Sequence, residues 1–444
     1  MISQVDLLIR NGMVIPMDGG PKVCPATDVA IVADCIFAIG PHLNVEAKQI
    51  IDARGHAVLP GLVDAHMHET LTRGICEDLP LDRWLSEICY PLDRSYTYEI
   101  MLASAMMNQA EMIMGGITTF IDIYRYPQAC AEIALKSGLR AILAPQIISD
   151  PPLVGESVES AEAFVSSWKG RSSRVLPAFG PHAPYSCTPN DLHRIADLAE
   201  KYDTPIHSHL GETSWEVGVI RERYGLTPTE YYERQGLLSP RLSVAHGVKL
   251  TPPEIKLLAD RGVAIVYNPT SNMKMAAGIA PIVEFQQAKL TVALGTDSNL
   301  SNNNLDMWEE MRLGAILQKL STNNAGALPC QTILQMATIE GARALGLADK
   351  VGSIEVGKKA DIILVDLNHP HLWPIFEGKQ NNLVENLVYS ANAGDISHTI
   401  VDGQVLMSDR ILKTLDLSEV LKEVDGAAEK LLAISGLSES NLEK

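Results

Sequence analysis

The sequence predicts an α/β protein, a (β/α)8 TIM barrel with a small β-sandwich-like domain built from both chain ends. Three observations predict it. Eight apolar strand candidates alternate with helical segments through the middle of the chain. Short β-rich stretches with turn signals fill the first 56 residues and return after residue 357. Neither G-x-G-x-x-G nor G-x-x-x-x-G-K-[ST] occurs, so the glycine-rich phosphate loop of a doubly wound sheet is missing.

In chain order, Val5–Val14 is β-rich around an Asn11-Gly12 turn signal, followed by strand texture at Asp28–Gly40 and Gln49–Asp52. The barrel strands are expected at Ala57–Ala65, Ile117–Ile123, Ala141–Ile147, Val175–Phe179, Pro205–His209, Leu242–His246, Val263–Tyr267 and Leu290–Gly295. Between two of them, Asn190–Tyr202 carries Leu192, Ile195, Ala196 and Ala199 at helical spacing after a Thr188-Pro189 start signal. Lys359–Leu367 reads as a buried strand, and Leu387–Leu412 as further strands around Asp402-Gly403. Each β-rich end is too short to bury a core alone, so the two are expected to join. Leu415–Ala433, with Leu417, Val420, Leu421, Val424, Ala428 and Leu431, reads as an amphipathic closing helix. The expected division is therefore 1–56 with 358–414 as the β-domain, 57–357 as the barrel and 415–444 as the C-terminal helix.

Composition narrows the role. Of the 444 residues 46% are apolar and 20% charged, a globular profile too apolar for disorder. The net charge of −18 repels nucleic-acid polymers and anionic lipid. The seven cysteines are scattered, odd in number and without C-x-x-C, which suits a reducing cytoplasm. No apolar run approaches the roughly 18 residues of a membrane helix. The opening Met-Ile-Ser-Gln-Val-Asp lacks the basic start and apolar stretch of a signal peptide. A cytoplasmic protein acting on small molecules is the expectation.

Barrel chemistry sits at the C-terminal ends of the strands. Here those ends read Asp64-Ala65-His66-Met67-His68, Gly180-Pro181-His182, His207-Ser208-His209-Leu210-Gly211-Glu212, His246 and Gly295-Thr296-Asp297. Six of the twelve histidines thus fall on one rim. H-x-H on a strand turns both imidazoles to the same face, and a divalent metal accepts neutral imidazole. A lone H-x-H would decide nothing, but a second one and a strand-terminal aspartate across the same barrel favour a metal site. His56, before the first strand, reads as structural, and His42, His193, His369, His371 and His398 lie outside the pattern.

The phrases PGLVDAHMH, GPHAPYS, HSHLGET, VAHG and LGTD, in this order, resemble the amidohydrolase superfamily, and GSIEVGKKADIILVDL resembles its returning β-domain. EDLPLDRWL, HLGET, NPTSNMKM and the Ser301-Asn302-Asn303 turn are similar to its methylthioadenosine/S-adenosylhomocysteine deaminase branch, to which triazine hydrolases are close. The resemblance implies His66, His68, His209 and Asp297 as metal ligands, with His207 alongside. Val175–His182 has no lysine to bridge two metals, which implies one divalent ion, zinc first and iron second. It also implies Glu212 as the acid that protonates the substrate ring, Asp297 as acceptor of a proton from water, and His246 as the group that orients the water. His182 and Trp84 would face the substrate.

Two recognition positions depart from that branch. Asp93 stands where its glutamate binds ribose hydroxyls, and Ala144-Pro145-Gln146 stands where it has an arginine. Gly247 replaces a cysteine. The implied function is a metal-dependent aminohydrolase of a purine-nucleoside-like or other N-heteroaromatic amine, with adenosine thioethers as first candidates. An alternative is displacement of chloride, alkylamine or alkylthiol from a triazine-like ring; a third is a non-catalytic barrel scaffold. A homo-oligomer is implied by the family alone.

Overall fold

The computed structural model describes residues 4–20, 23–75, 78–79, 81–150 and 157–437. The first three residues, Cys76, Glu77 and Pro80 near the start of the EDLPLDRWL phrase, and residues 438–444 of the C-terminal segment lie outside the described residues. The chain has a TIM-barrel-type α/β fold.

Both chain ends meet in one sheet of nine strands among the described residues. Gln4–Val14 is its hub. It pairs antiparallel with Cys24–Val32, and parallel first with Glu46–Asp52 and then with His56–Pro60. The Asn11-Gly12 signal is not a turn: the register shifts there, and the strand runs on through a bulge into its second partner. His56–Pro60 pairs antiparallel with Ile362–Asp366, which carries the sheet on to Ile396–Val401, Gln404–Ser408 and Ile411–Leu412. Asp402 and Gly403, both at positive φ, form the two-residue hairpin loop. Alternation along Ile362–Asp366 sorts the two cores. Ile362 and Leu364 pack with Ile9, Val29, Ile31 and Val58, whereas Ile363 and Val365 join the main core beneath the barrel.

The expected strand Ala57–Ala65 is two strands. His56–Pro60 belongs to the sheet above, and Leu62–His68 opens the parallel ladders. The break is at Gly61, where a Cβ would come within 2.0 Å of the Thr118 side chain. The boundary drawn at residue 57 therefore cuts into the outer sheet. Leu62–His68 pairs parallel with Ile117–Asp122, which pairs with Arg140–Leu143, which pairs with Val175–Pro177. Phe179 bridges to Ile206, and Ile206–Leu210, Leu242–His246, Ala264–Tyr267 and Val292–Leu294 follow in parallel order. Asp297 then pairs with Met67, which brings the last strand beside the first.

The helix at Pro189–Tyr202 starts at Thr188, whose hydroxyl accepts from the Asp191 N–H, and buries Leu192, Ile195 and Ala199. Two expectations need correction. Leu383–Ser390 is a helix, burying Leu383, Val384, Leu387 and Val388, so the strands begin only at Ile396. In the closing helix Leu417–Ser435 the buried stripe is Val420, Ala427 and Leu431, while Leu417 and Leu421 are exposed on its flank. Among the described residues all six cysteines are unpaired, and no helix is long and apolar enough to cross a membrane.

Candidate metal centre and cavity

Parallel strands bring their C-terminal ends to one rim, and the histidines meet there. His66 and His68 leave Leu62–His68 on the same face, His209 ends Ile206–Leu210, and His246 ends Leu242–His246. All four rings are buried, as are Asp297 and Glu212.

The hydrogen bonds settle which nitrogens are free. The Nδ1–H of His68 donates to the Ile123 carbonyl at 2.6 Å, and the Nδ1–H of His209 donates to the His182 carbonyl at 2.6 Å. A carbonyl can only accept, so both rings carry their proton on Nδ1 and leave Nε2 bare when neutral. Those two Nε2 atoms face each other at 3.2 Å. Two lone pairs at that distance repel unless a cation lies between them. His66 adds a third nitrogen: its Nδ1 is 2.8 Å from His207 Nε2, and its own Nε2 is buried without a partner. Asp297 completes the set, with Oδ1 at 3.4 Å from His68 Nε2 and 3.6 Å from His66 Nε2. Neutral imidazole nitrogens and a carboxylate converging in a buried pocket suit a divalent metal ion. His207 buttresses His66 while its Nδ1 meets the Ser243 hydroxyl at 2.7 Å.

Burial and charge tune these groups. Burial pulls His66 down to about 4, against the pull of Asp297, and holds His209 well below the usual histidine value. Burial works upward on Asp297, but the neighbouring His66, His246 and His68 imidazoles keep it far below the ordinary range. Burial raises the Glu212 carboxyl, opposed by His246 and reinforced by Asp297. For His246 burial works downward, and the charges of Glu212 and Asp297 with the Asn272 hydrogen bond outweigh it.

His246 and Asp297 both sit at positive φ, 79° and 66°. Such strain costs about 1–3 kcal/mol per residue and is characteristic of functional positions. It is held by neighbours. His246 Nδ1 lies 2.9 Å from Asn272 Oδ1, and the Ser271 hydroxyl donates to Asp297 Oδ2 at 2.5 Å. His246 Nε2 stands 4.0 Å from both Glu212 Oε2 and Asp297 Oδ2.

The centre opens into a cavity that reaches solvent. His182, Trp84, Asp93 and Glu212 all line it, so every sequence-derived substrate contact shares the cavity with the histidines. His182 is held by Ser186 at 2.8 Å. Asp93 takes the Tyr124 hydroxyl at 2.6 Å. Gln146 lines the wall where a cation was expected from the resemblance.

Sequence reasoning missed four contributors. Ser271 and Asn272 lie inside the quoted NPTSNMKM phrase, but only their distances show what they hold. Tyr124, two residues past its strand, carried no signal. Nor did Glu216, whose two oxygens accept the backbone N–H groups of Gly211 at 2.9 Å and Glu212 at 2.8 Å.

Known proteins match this arrangement. The amidohydrolase family model matches residues 57–406. The chain is 39% identical over 432 residues to a 5-methylthioadenosine/S-adenosylhomocysteine deaminase of Syntrophobacter fumaroxidans, covering 95% of this chain and 97% of that one. Its structure resembles a zinc-bound adenosine deaminase of Xanthomonas campestris with a TM-score of 0.93 and 33% identity, over 98% of this chain and 100% of the other. It also resembles a zinc-bound atrazine chlorohydrolase of Arthrobacter aurescens with a TM-score of 0.88 and 26% identity, over 95% and 99% of the two chains.

Proposed function

The chain belongs to the amidohydrolase family, and from that premise we propose that it is a hydrolytic deaminase of adenine-like rings. Adenosine thioethers such as methylthioadenosine and S-adenosylhomocysteine are the first candidates. The observation that carries this reading is the convergence of three histidine Nε2 atoms and Asp297 beside a buried Glu212. In this reading His66, His68, His209 and Asp297 hold one divalent ion, zinc. The bound ion supplies Lewis acidity that brings the ionisation of water near neutral pH.

The chain's own residues do the rest. Glu212, raised by burial, keeps a proton available for the ring nitrogen next to the amino-bearing carbon, which makes that carbon electrophilic. Asp297, low in pKa and anchored by Ser271, accepts the proton that water gives up as its oxygen attacks. His246, fixed by Asn272, orients that oxygen between the two carboxylates. A C–O bond forms, the C–N bond breaks, and the amino group leaves as ammonia with the proton that Asp297 took from water; the remaining hydroxyl proton passes to Glu212 as the carbonyl forms and restores its acid. Asp93, held by Tyr124, takes sugar hydroxyls, and His182 and Trp84 flank the ring. The same reading takes the parallel ladders as one closed eight-stranded barrel beside a small β-domain, in a cytoplasmic enzyme.

The test is ammonia release by metal-loaded protein from methylthioadenosine, S-adenosylhomocysteine, adenosine, aminopterins and aminotriazines, with chloride release from a chlorotriazine in parallel. Ammonia from a nucleoside is the expected result. Chloride release without ammonia would move the assignment to the triazine hydrolases, and neither product would end the hydrolase reading.

A further inference from the structure

The cavity wall is unbalanced in charge. Asp93, Glu212 and Asp297 contribute carboxylates to it, and among the described residues no lysine or arginine lines it. Two cations next in sequence to lining residues are engaged elsewhere. Arg73 pairs with Glu111 at 2.6 Å, and Lys274 turns to the Leu300 carbonyl and to Asn303. Arg125 is buried off the lining, on the side of Asp93, whose charge it compensates. Two buried polar atoms on the wall have no partner, the Gln146 Oε1 acceptor and the Thr70 hydroxyl.

A reacting ring carbon has to lie against Glu212 and Asp297. The rest of the lining is left for the remainder of the substrate, and beside Thr70, Thr72 and Gln146 it presents Trp84, Leu85, Tyr90, Leu92 and Ile148. These are apolar and aromatic surfaces that favour an alkyl or alkylthio group. A carboxylate placed there would lose water and find no lysine or arginine among the described lining residues.

Resting on the deaminase reading, we propose that the site selects adenosine-type substrates with a neutral 5′ substituent and rejects those that carry a carboxylate there. The discrimination is one of charge, not of size.

Two 5′-thioethers of adenosine, one ending in –CH2–COO⁻ and the other in –CH2–CONH2, are alike in size and differ in charge. With the metal-loaded full chain, kcat/KM for ammonia release from the carboxamide is expected to exceed that from the carboxylate at least about tenfold. A smaller ratio would overturn the proposal while leaving the deaminase reading intact. No ammonia from either compound or from methylthioadenosine would instead remove the deaminase reading, and this proposal with it. Gln146→Arg puts a cation on the wall and is expected to narrow the ratio several-fold; a folded variant with an unchanged ratio would show that charge is not the discriminator. The comparison of the two compounds on the unaltered chain stands whether or not that variant folds.

Discussion

Glu212 and Glu216 lie four residues apart and face different ways. Glu212 lines the cavity, while Glu216 is buried behind it and spends both oxygens on the backbone N–H groups of Gly211 and Glu212. The turn it clamps passes through Gly211 at φ +64°, whose carbonyl also accepts the Lys249 N–H at 2.7 Å, and the Glu216 clamp is the tie on the Glu212 N–H itself. Glu216→Ala is expected to lower kcat about tenfold to a hundredfold through misplacement of Glu212, with metal content unchanged. Steady-state kinetics beside elemental analysis checks this, and loss of metal would show that Glu216 supports the histidines instead. Glu212→Gln should keep the metal and lose about 10²–10⁴ in kcat, because the amide has no proton to give the ring. His68→Ala should lower metal occupancy; full occupancy would remove it from the ligand set. The rim histidines, Glu212 and Asp297 were legible because period-two alternation and strand ends announce them. Glu216, Ser271 and Asn272 were not, because they act through another residue's atoms and no spacing encodes that.

At the scale of elements, misreadings cluster where one pattern satisfies two structures. The apolar run from Ala57 to Ala65 is unbroken, and only the space beside Thr118 shows why Gly61 divides it. Leu383–Ser390 is rich in Leu and Val, and its helical stripe emerges only once the buried side is known. The strand order was legible because each parallel strand is a short apolar run bounded by polar ends. The helix Met307–Ser321 illustrates what was not. Its buried Glu310 accepts from the Thr270 N–H at 3.2 Å and from Asn302 Nδ2 at 2.9 Å, and so braces the segment that carries Ser271 and Asn272. Burial raises its carboxyl from 4.5 to about 8, against those hydrogen bonds. The folded state therefore binds this proton more tightly than the unfolded chain. Its contribution to stability is fully present below pH 4.5 and is lost as the pH rises through about 8. Glu310→Gln turns one of these two acceptors into an N–H donor facing an N–H, so it should be less stable than the parent near pH 5, and the gap should narrow near pH 9. Urea midpoints at the two pH values check this; an equal difference at both would mean that Glu310 is charged in the fold.

At the scale of the molecule, composition foresaw a small-molecule protein and the pairing of the two ends, but not what fastens the sheet to the barrel. The fastening is ionic and buried. Arg140 opens the third parallel strand, and its side chain is 1% exposed. Its Nε donates to Asp361 Oδ2 at 2.9 Å, its Nη2 to Asp361 Oδ1 at 3.0 Å, and its Nη1 to the Ser173 carbonyl at 3.0 Å. Nη2 also reaches Asp402 in the hairpin loop, whose backbone N–H is held by Asp361 at 2.9 Å. Residues 221 and 262 positions apart thus share one guanidinium, a separation at which local sequence patterns carry no information. Such a group is costly to bury and more costly to break, because removing the cation strands Asp361, while Asp402 keeps Arg174 at 3.8 Å. Arg140→Met is expected to destabilise the protein by about 3–5 kcal/mol. Adding Asp361→Asn should recover part of that loss, since the largest uncompensated charge is then gone. Activity per folded molecule should be unchanged in both variants, because Arg140 lies at the N-terminal end of its strand and the histidine rim at the other. Urea unfolding of the parent, the single and the double variant measures the coupling. A single variant as stable as the parent would mean that apolar packing of Ile363 and Val365, not the ion group, holds the sheet to the barrel.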